Sequence, residues 1–220
     1  MARALSDDLV GARPLARWFY DCEPRTLARK LLGRILVHDD ARGARCAGII
    51  VETEAYAGET DPASHAWRGM TPRNRVMFGP PGHAYVYFTY GMHHCLNVVC
   101  GREGSARAVL LRALEPVTGQ ARMARRRGTA DPLWLTSGPG MLAQALGLDL
   151  RHDGVDLTRG PLWIADGHVI RRGLGVVRGP RIGIRRAIEW PWRYWLELHP
   201  CVSRGGGPPG PGQSRRRELR

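Results

Sequence analysis

The residues best suited to chemistry lie between Val51 and Asn97. VETEAYAG (Val51 to Gly58) places two carboxylates, Glu52 and Glu54, at the close of an apolar run, with a ring, Tyr56, two positions on. AYVYFTYGM (Ala84 to Met92) is a tyrosine-rich strand that runs into a glycine, and TPRNRVMFGPPG (Thr71 to Gly82) brings Arg73 and Arg75 close after His65. A carboxylate held near an arginine can orient and partly deprotonate a water, and stacked rings can hold a flat group beside it. The combination points to hydrolysis of something planar and anionic. An enzyme acting on a base inside a duplex must extrude that base, fill the gap and clasp the base among aromatic side chains. Breaking the N-glycosidic bond passes through an oxocarbenium-like sugar, which an adjacent carboxylate also stabilises.

The composition fits a polyanionic partner. The 220 residues carry a formal charge of +13, nearly all of it arginine, with Lys30 the only lysine. A surface this basic favours nucleic acid or anionic lipid. The scarcity of lysine bears on mechanism, because glycosylases that also cut the strand need an amine to form a Schiff base with the sugar. Lys30 sits in a stretch that reads as scaffold, so a monofunctional, water-using reaction is expected. Five cysteines without a C-x-x-C pair indicate neither a disulfide framework nor a zinc ribbon. Adjacent His93, His94 and Cys95 would face opposite sides of a strand, so no metal site is expected. No apolar run approaches a membrane span and no signal peptide is evident, so a soluble, cytoplasmic protein is expected.

Positioning elements follow from periodicity. Leu27, Leu31 and Leu32 follow helical spacing after Pro24, with Gly33 placed to end the helix. Ile35 to His38 and Gly48 to Glu54 flank a turn-rich segment and predict an antiparallel pair. In the second strand Ile50, Glu52 and Glu54 share one face, so one carboxylate must find a cation or the strand end must open into a cleft. Glu54, nearer the loop, is the better candidate for the cleft. The segment from Glu59 to Arg75 reads as irregular, and Ala84 to Tyr90, Cys95 to Val99 and Ala106 to Leu114 read as three further strands.

Val117 to Arg127 predicts a helix with Arg122, Arg125, Arg126 and Arg127 as a basic exposed side. Ser137-Gly138-Pro139 predicts a capped helix over the following apolar residues, either scaffold or a seat for phosphate. Val155 to Ile188 predicts further strands at the sheet edge, with Arg181, Arg185 and Arg186 on the basic surface. The domain reading is a loosely ordered segment over residues 1–14, one folded domain over 15–203, and a disordered basic Gly/Pro/Arg tail over 204–220. The tail sets five arginines against one glutamate.

Taken together, VETEAY, His65, TPRNRVMF, YVYFTYGM with Asn97, LLRALEP (Leu110 to Pro116), SGPGMLAQALG and RIGI with EW resemble the alkyladenine (3-methyladenine) DNA glycosylase family. The blocks run in the same order from about Phe19 to Ser203. The resemblance implies an α+β fold: a single compact domain with a central antiparallel sheet, a protruding DNA-inserting hairpin and surrounding helices. It implies that Glu54 is the general base that activates water, with Arg112 and the backbone carbonyl of Ile182 helping to hold that water. Tyr56, His65 and Tyr87 correspond to walls of the base pocket, and Asn97 to the side chain that obstructs the 2-amino group of guanine. Tyr90 corresponds to the intercalating residue, and Arg73 to a position near the DNA backbone.

The expected activity is base-excision repair: release of alkylated purines such as 3-methyladenine and 7-methylguanine, and also hypoxanthine, from duplex DNA, with no cofactor and a monomeric protein. The competing reading is a noncatalytic basic module that binds nucleic acid through stacking tyrosines. An RNA-binding or RNA-modifying protein is a third.

Overall fold

A computed structural model describes residues 11–89, 91–166 and 175–203. The N-terminal residues 1–10, Tyr90 and the basic tail over 204–220 lie outside the described residues. The fold is an antiparallel sheet with helices packed against it. Its strands are β1 (Ile35–Asp39), β2 (Arg45–Tyr56), β3 (Ala84–Thr89), β4 (His93–Cys100), β5 (Arg107–Thr118), β6 (Leu162–Ile164), β7 (Val176–Gly179) and β8 (Arg193–Leu196). Among the described residues five short α-helices accompany them: α1 (Arg17–Tyr20), α2 (Pro24–Leu31), α3 (Gln120–Arg127), α4 (Pro132–Leu135) and α5 (Pro139–Leu146).

The main strand order is β3-β4-β5-β2-β1-β6. β2 is long enough to pair with β5 on one side and with two strands on the other, β1 along its first half and β8 from Glu52 to Glu54. Near Glu52 its register against β5 shifts. Such an irregularity increases local twist and re-aims side chains.

Period-2 alternation sorts the strands into two faces. On one face Val51 of β2, Val86 of β3, Leu96 and Val98 of β4, and Val109 and Leu111 of β5 enter the main core with Leu27 and Leu31 of α2 and Leu142 and Leu146 of α5. On the other lie Glu52, Glu54 and Tyr56, Tyr85 and Tyr87, Cys95 and Asn97, and Leu110 and Arg112. A smaller cluster of Ala66, Met77, Tyr85, Val99, Ala106 and Ala108 packs the irregular segment after β2 onto this second face. Gly58 starts that segment at φ +65°, and a Cβ there would strike the Ser105 backbone oxygen.

Several sequence expectations need correction. The segment expected to be helical from Val117 begins as the end of β5, and α3 starts only after Gly119, whose φ of +78° breaks the strand. Its basic side is largely spent on the fold. Arg122 and Arg126 pair with Asp40, and Arg127 donates to the Leu135 carbonyl and the Gln144 side chain. The α5 N-terminus carries no side-chain cap, since Gly138 occupies that position and the Ser137 hydroxyl turns to Met141 Sδ. RIGI (Arg181 to Ile184) lies outside any strand, in a loop between β7 and β8. Arg181 was expected on the basic surface, yet its side chain is fully buried against Asp61.

Candidate functional site

A cleft of about 470 Å³ opens on the second face of the sheet. Tyr56, His65, Tyr85, Tyr87, Asn97, Leu110, Arg112 and Ile182 are among the residues that line it. Strand register accounts for much of this convergence. Glu54 of β2 is in register with Leu110 of β5, Leu110 with Asn97 of β4, and Asn97 with Tyr85 of β3. One row across four strands therefore carries a carboxylate at one end and a phenol at the other. Arg112, two residues before Leu114 and two after Leu110, falls on the same face of β5.

Glu54 has no exposed surface and sits immediately behind the cleft wall. Its Oε1 accepts the backbone N–H of Ile182 at 2.8 Å and faces Arg112 NH1 at 3.1 Å. Its Oε2 accepts the Tyr56 hydroxyl at 2.8 Å. All three donors are cleft-lining residues. The structure thus draws the Ile182 amide, where the resemblance implied its carbonyl, into contact with the site, and it leaves Glu54 screened by its partners rather than open to the cleft. Burial and the neighbouring Glu54 charge both raise the Tyr56 pKa well above that of a free phenol, so Tyr56 remains a donor.

Glu52 resolves the question of the second carboxylate. Both acids find a cation, because Arg112 lies between them, with Nε 3.0 Å from Glu52 and NH1 3.1 Å from Glu54. Glu52 takes a second cation, Arg193, at 3.0 Å, and both the backbone and the hydroxyl of Ser203. Two guanidiniums offset two carboxylates, which is what burial of such charges requires.

The aromatic wall is built from β3 and the irregular segment. Tyr87 stands against His65 at a centroid distance of 4.5 Å and 71°, and against Tyr85 at 5.4 Å. His65 keeps an open edge on the cleft while its Nδ1 meets the Tyr85 hydroxyl at 2.8 Å. Desolvation by these neighbours, together with nearby Arg73, lowers the His65 pKa and favours the neutral ring. Asn97 is buried, donating through Nδ2 to the Tyr85 carbonyl. Arg73 lies at the rim, bonded to the Phe88 carbonyl and stacked over Tyr87. The structure therefore gathers every site residue expected from the sequence except Tyr90, which lies outside the described residues.

Three structural supports go beyond the residues named from the sequence. Tyr85 of β3 anchors His65. Arg181 makes two bonds to Asp61, at 2.5 and 2.9 Å, and one to the Ala55 carbonyl, and it stacks over Tyr56. Through that contact the loop carrying Ile182 is fastened beside Glu54. Glu52 with Arg193 and Ser203 is the third. Among the described residues there is no group of three or more His, Cys, Asp or Glu side chains able to hold a metal ion, and no helix long and apolar enough to cross a membrane.

Comparison with known proteins identifies the family. Residues 18–200 match the family described as Methylpurine-DNA glycosylase. A Chlorobaculum parvum protein named "Putative 3-methyladenine DNA glycosylase" is 52% identical over 185 residues, covering 84% of this chain and 88% of its own. Proteins of the same name from Chlorobaculum tepidum (48% identical, covering 91% and 94%) and Methanoculleus marisnigri (50% identical, covering 84% and 96%) are similar over most of their lengths. The chain belongs to the methylpurine-DNA glycosylase family, whose members are hydrolases acting on N-glycosyl bonds in DNA repair.

Proposed function

We propose that the protein flips alkylated purines, 3-methyladenine and 7-methylguanine among them, out of duplex DNA and hydrolyses their N-glycosidic bond, leaving an abasic site. The observation that carries this reading is the Glu54 carboxylate, whose every donor is a wall residue of an aromatic-lined cleft. A flipped purine is held between Tyr56 on one side and His65 with Tyr87 on the other. Glu54 takes a proton from the attacking water while its charge stabilises the oxocarbenium-like sugar, and Arg112 and the Ile182 backbone fix that carboxylate and its water. Alkylation at N3 or N7 makes the purine cationic, so the base leaves with little acid catalysis.

Asn97, beside Tyr85 in the wall, obstructs the 2-amino group of guanine. Tyr90 fills the gap that the flipped nucleotide leaves in the duplex, and Arg73 holds the DNA backbone. The single lysine supports a monofunctional reaction. Lys30 lies on α2, and α2 packs against the opposite face of β2 from Glu54, where the Thr53 hydroxyl donates to the Ala28 carbonyl. One protein molecule engaging one lesion suffices.

The test is single-turnover base release from duplexes carrying 3-methyladenine, 7-methylguanine or hypoxanthine. The wild type releases base, while Glu54→Gln retains DNA binding and loses release. Binding by both proteins without release by either would overturn the reading in favour of a noncatalytic module.

A further inference from the structure

Glu52 lies behind Glu54, away from the cleft lining, and accepts four hydrogen bonds. Its Oε1 accepts from Arg112 Nε at 3.0 Å, Arg193 NH1 at 3.0 Å and Ser203 Oγ at 2.9 Å, and its Oε2 accepts from the Ser203 backbone at 2.7 Å. Such a cage could be no more than a staple between β2, β8 and the end of the domain. Two lines of contact lead from it to Glu54, however.

The first runs through Arg112. A guanidinium is planar and presents its donors in a rigid fork. Arg112 Nε is held by Glu52, and its NH2 donates to Ser203 Oγ at 3.2 Å. With those two nitrogens pinned, the plane is set and NH1 has one direction left, toward Glu54 Oε1 at 3.1 Å. Burial alone would lower the Arg112 pKa, but Glu54 and Glu52 together raise it, so the guanidinium stays charged between them.

The second runs through Arg193. While its NH1 is on Glu52, its Nε donates to the Pro180 carbonyl at 2.9 Å, and its guanidinium stacks over Trp195 at 4.1 Å. Pro180 is two residues before Ile182, whose N–H reaches the same Glu54 oxygen. Two of the three donors to Glu54 are thus aimed from one buried carboxylate.

We propose that Glu52 is a positioning residue for base excision, fixing through Arg112 and through Arg193 two of the three donors that orient Glu54. This rests on the assignment of Glu54 as the base that activates water. A carboxylate displaced by about 1 Å from its attack geometry loses about a hundredfold in rate. Substrate affinity, set by the aromatic cleft and the basic surface, is untouched.

The experiment is a double-variant cycle on a 7-methylguanine duplex, with single-turnover excision and duplex binding measured for wild type, Glu52→Gln, Glu54→Gln and the pair. Glu52→Gln is expected to slow excision by about a hundredfold with binding unchanged. Added to Glu54→Gln, it should lower the residual rate no further, because it acts only through Glu54. Excision by Glu52→Gln at the wild-type rate, or losses that multiply in the pair, would overturn the proposal. Should Glu52→Gln fail to fold, Ser203→Ala replaces it. That change removes a bond to Glu52 and one to Arg112, with an expected loss of about threefold to tenfold and the same lack of effect on Glu54→Gln. Wild-type excision abolished by Glu54→Gln but unaffected by either supporting variant overturns the positioning role alone. No release by the wild type overturns both assignments.

Discussion

Tyr56 donates its hydroxyl proton to Glu54 Oε2 at 2.8 Å from two positions further along the same strand. Because successive side chains alternate across a strand, the pair shares a face, and the ring that walls the cleft also orients the carboxylate behind it. Tyr56→Phe keeps the wall and removes the bond. Excision should fall by about threefold to tenfold while lesion binding is kept, as expected for one hydrogen bond made to the proposed base. Single-turnover rates set against binding isotherms separate the two, and a loss confined to binding would mean that only the ring matters.

The fully buried pair of Arg181 and Asp61 fastens the Ile182 loop. Asp61→Asn leaves a guanidinium buried without its countercharge, and breaking such a pair costs about 3–5 kcal/mol. Urea denaturation should show that loss. A change below about 1 kcal/mol, the range of an exposed pair, would contradict the burial seen here.

His38 makes stability depend on pH. Its Nδ1 lies 2.8 Å from the Leu146 carbonyl and its Nε2 3.2 Å from His152 Nε2, an arrangement satisfied when His38 is neutral, donating from Nδ1 and accepting at Nε2. Burial lowers its pKa from 6.5, with His152 and Arg126 acting in the same direction against the Leu146 bond and Asp40. The unfolded chain therefore takes up the proton first as pH falls through 6.5, and the fold loses stability from there down to the lowered folded value. Denaturation midpoints should drop between pH 7 and pH 5, and His38→Gln should flatten that slope. An unchanged slope in the variant would assign the effect to another group, His65 being the next candidate because its pKa is lowered as well.

Arg185 and Arg186 stand exposed in the cleft lining, and Arg73 is exposed over the Tyr87 ring. If they contact phosphates, association with undamaged duplex weakens steeply with salt, and each lost contact reduces the slope of log affinity against log salt by about 0.9. Titrations of Arg185→Gln and Arg186→Gln at several salt concentrations measure this directly. Slopes equal to the wild type would place the DNA backbone elsewhere.

Alternation along β2, β3 and β5 is legible in local residue order, and so is the face on which their chemistry lies. VETEAY, AYVYFTY and LLRALEP alternate apolar and functional residues, and that period alone puts Glu54 and Tyr56, Tyr87, and Arg112 on the same side of their strands. The helix after Pro24 was equally legible, since its N-terminal proline, apolar spacing and terminating glycine are local. The run of arginines in α3 was misleading because charge in a sequence does not reveal what it will meet. Asp40, which pairs with two of them, is 82 residues from Arg122.

Tertiary structure decided how the site is held. Arg181 and Asp61 are 120 residues apart, and Ser203 and Glu52 are 151 apart. No periodicity connects residues at such separations. The long β2 accepts β5 on one side and β8 on the other, and only that pairing brings Arg112 and Arg193 to the same buried carboxylate. Burial then makes those pairings obligatory, because an acid that loses contact with water must find a partner in the protein, and the fold alone determines which partners are within reach.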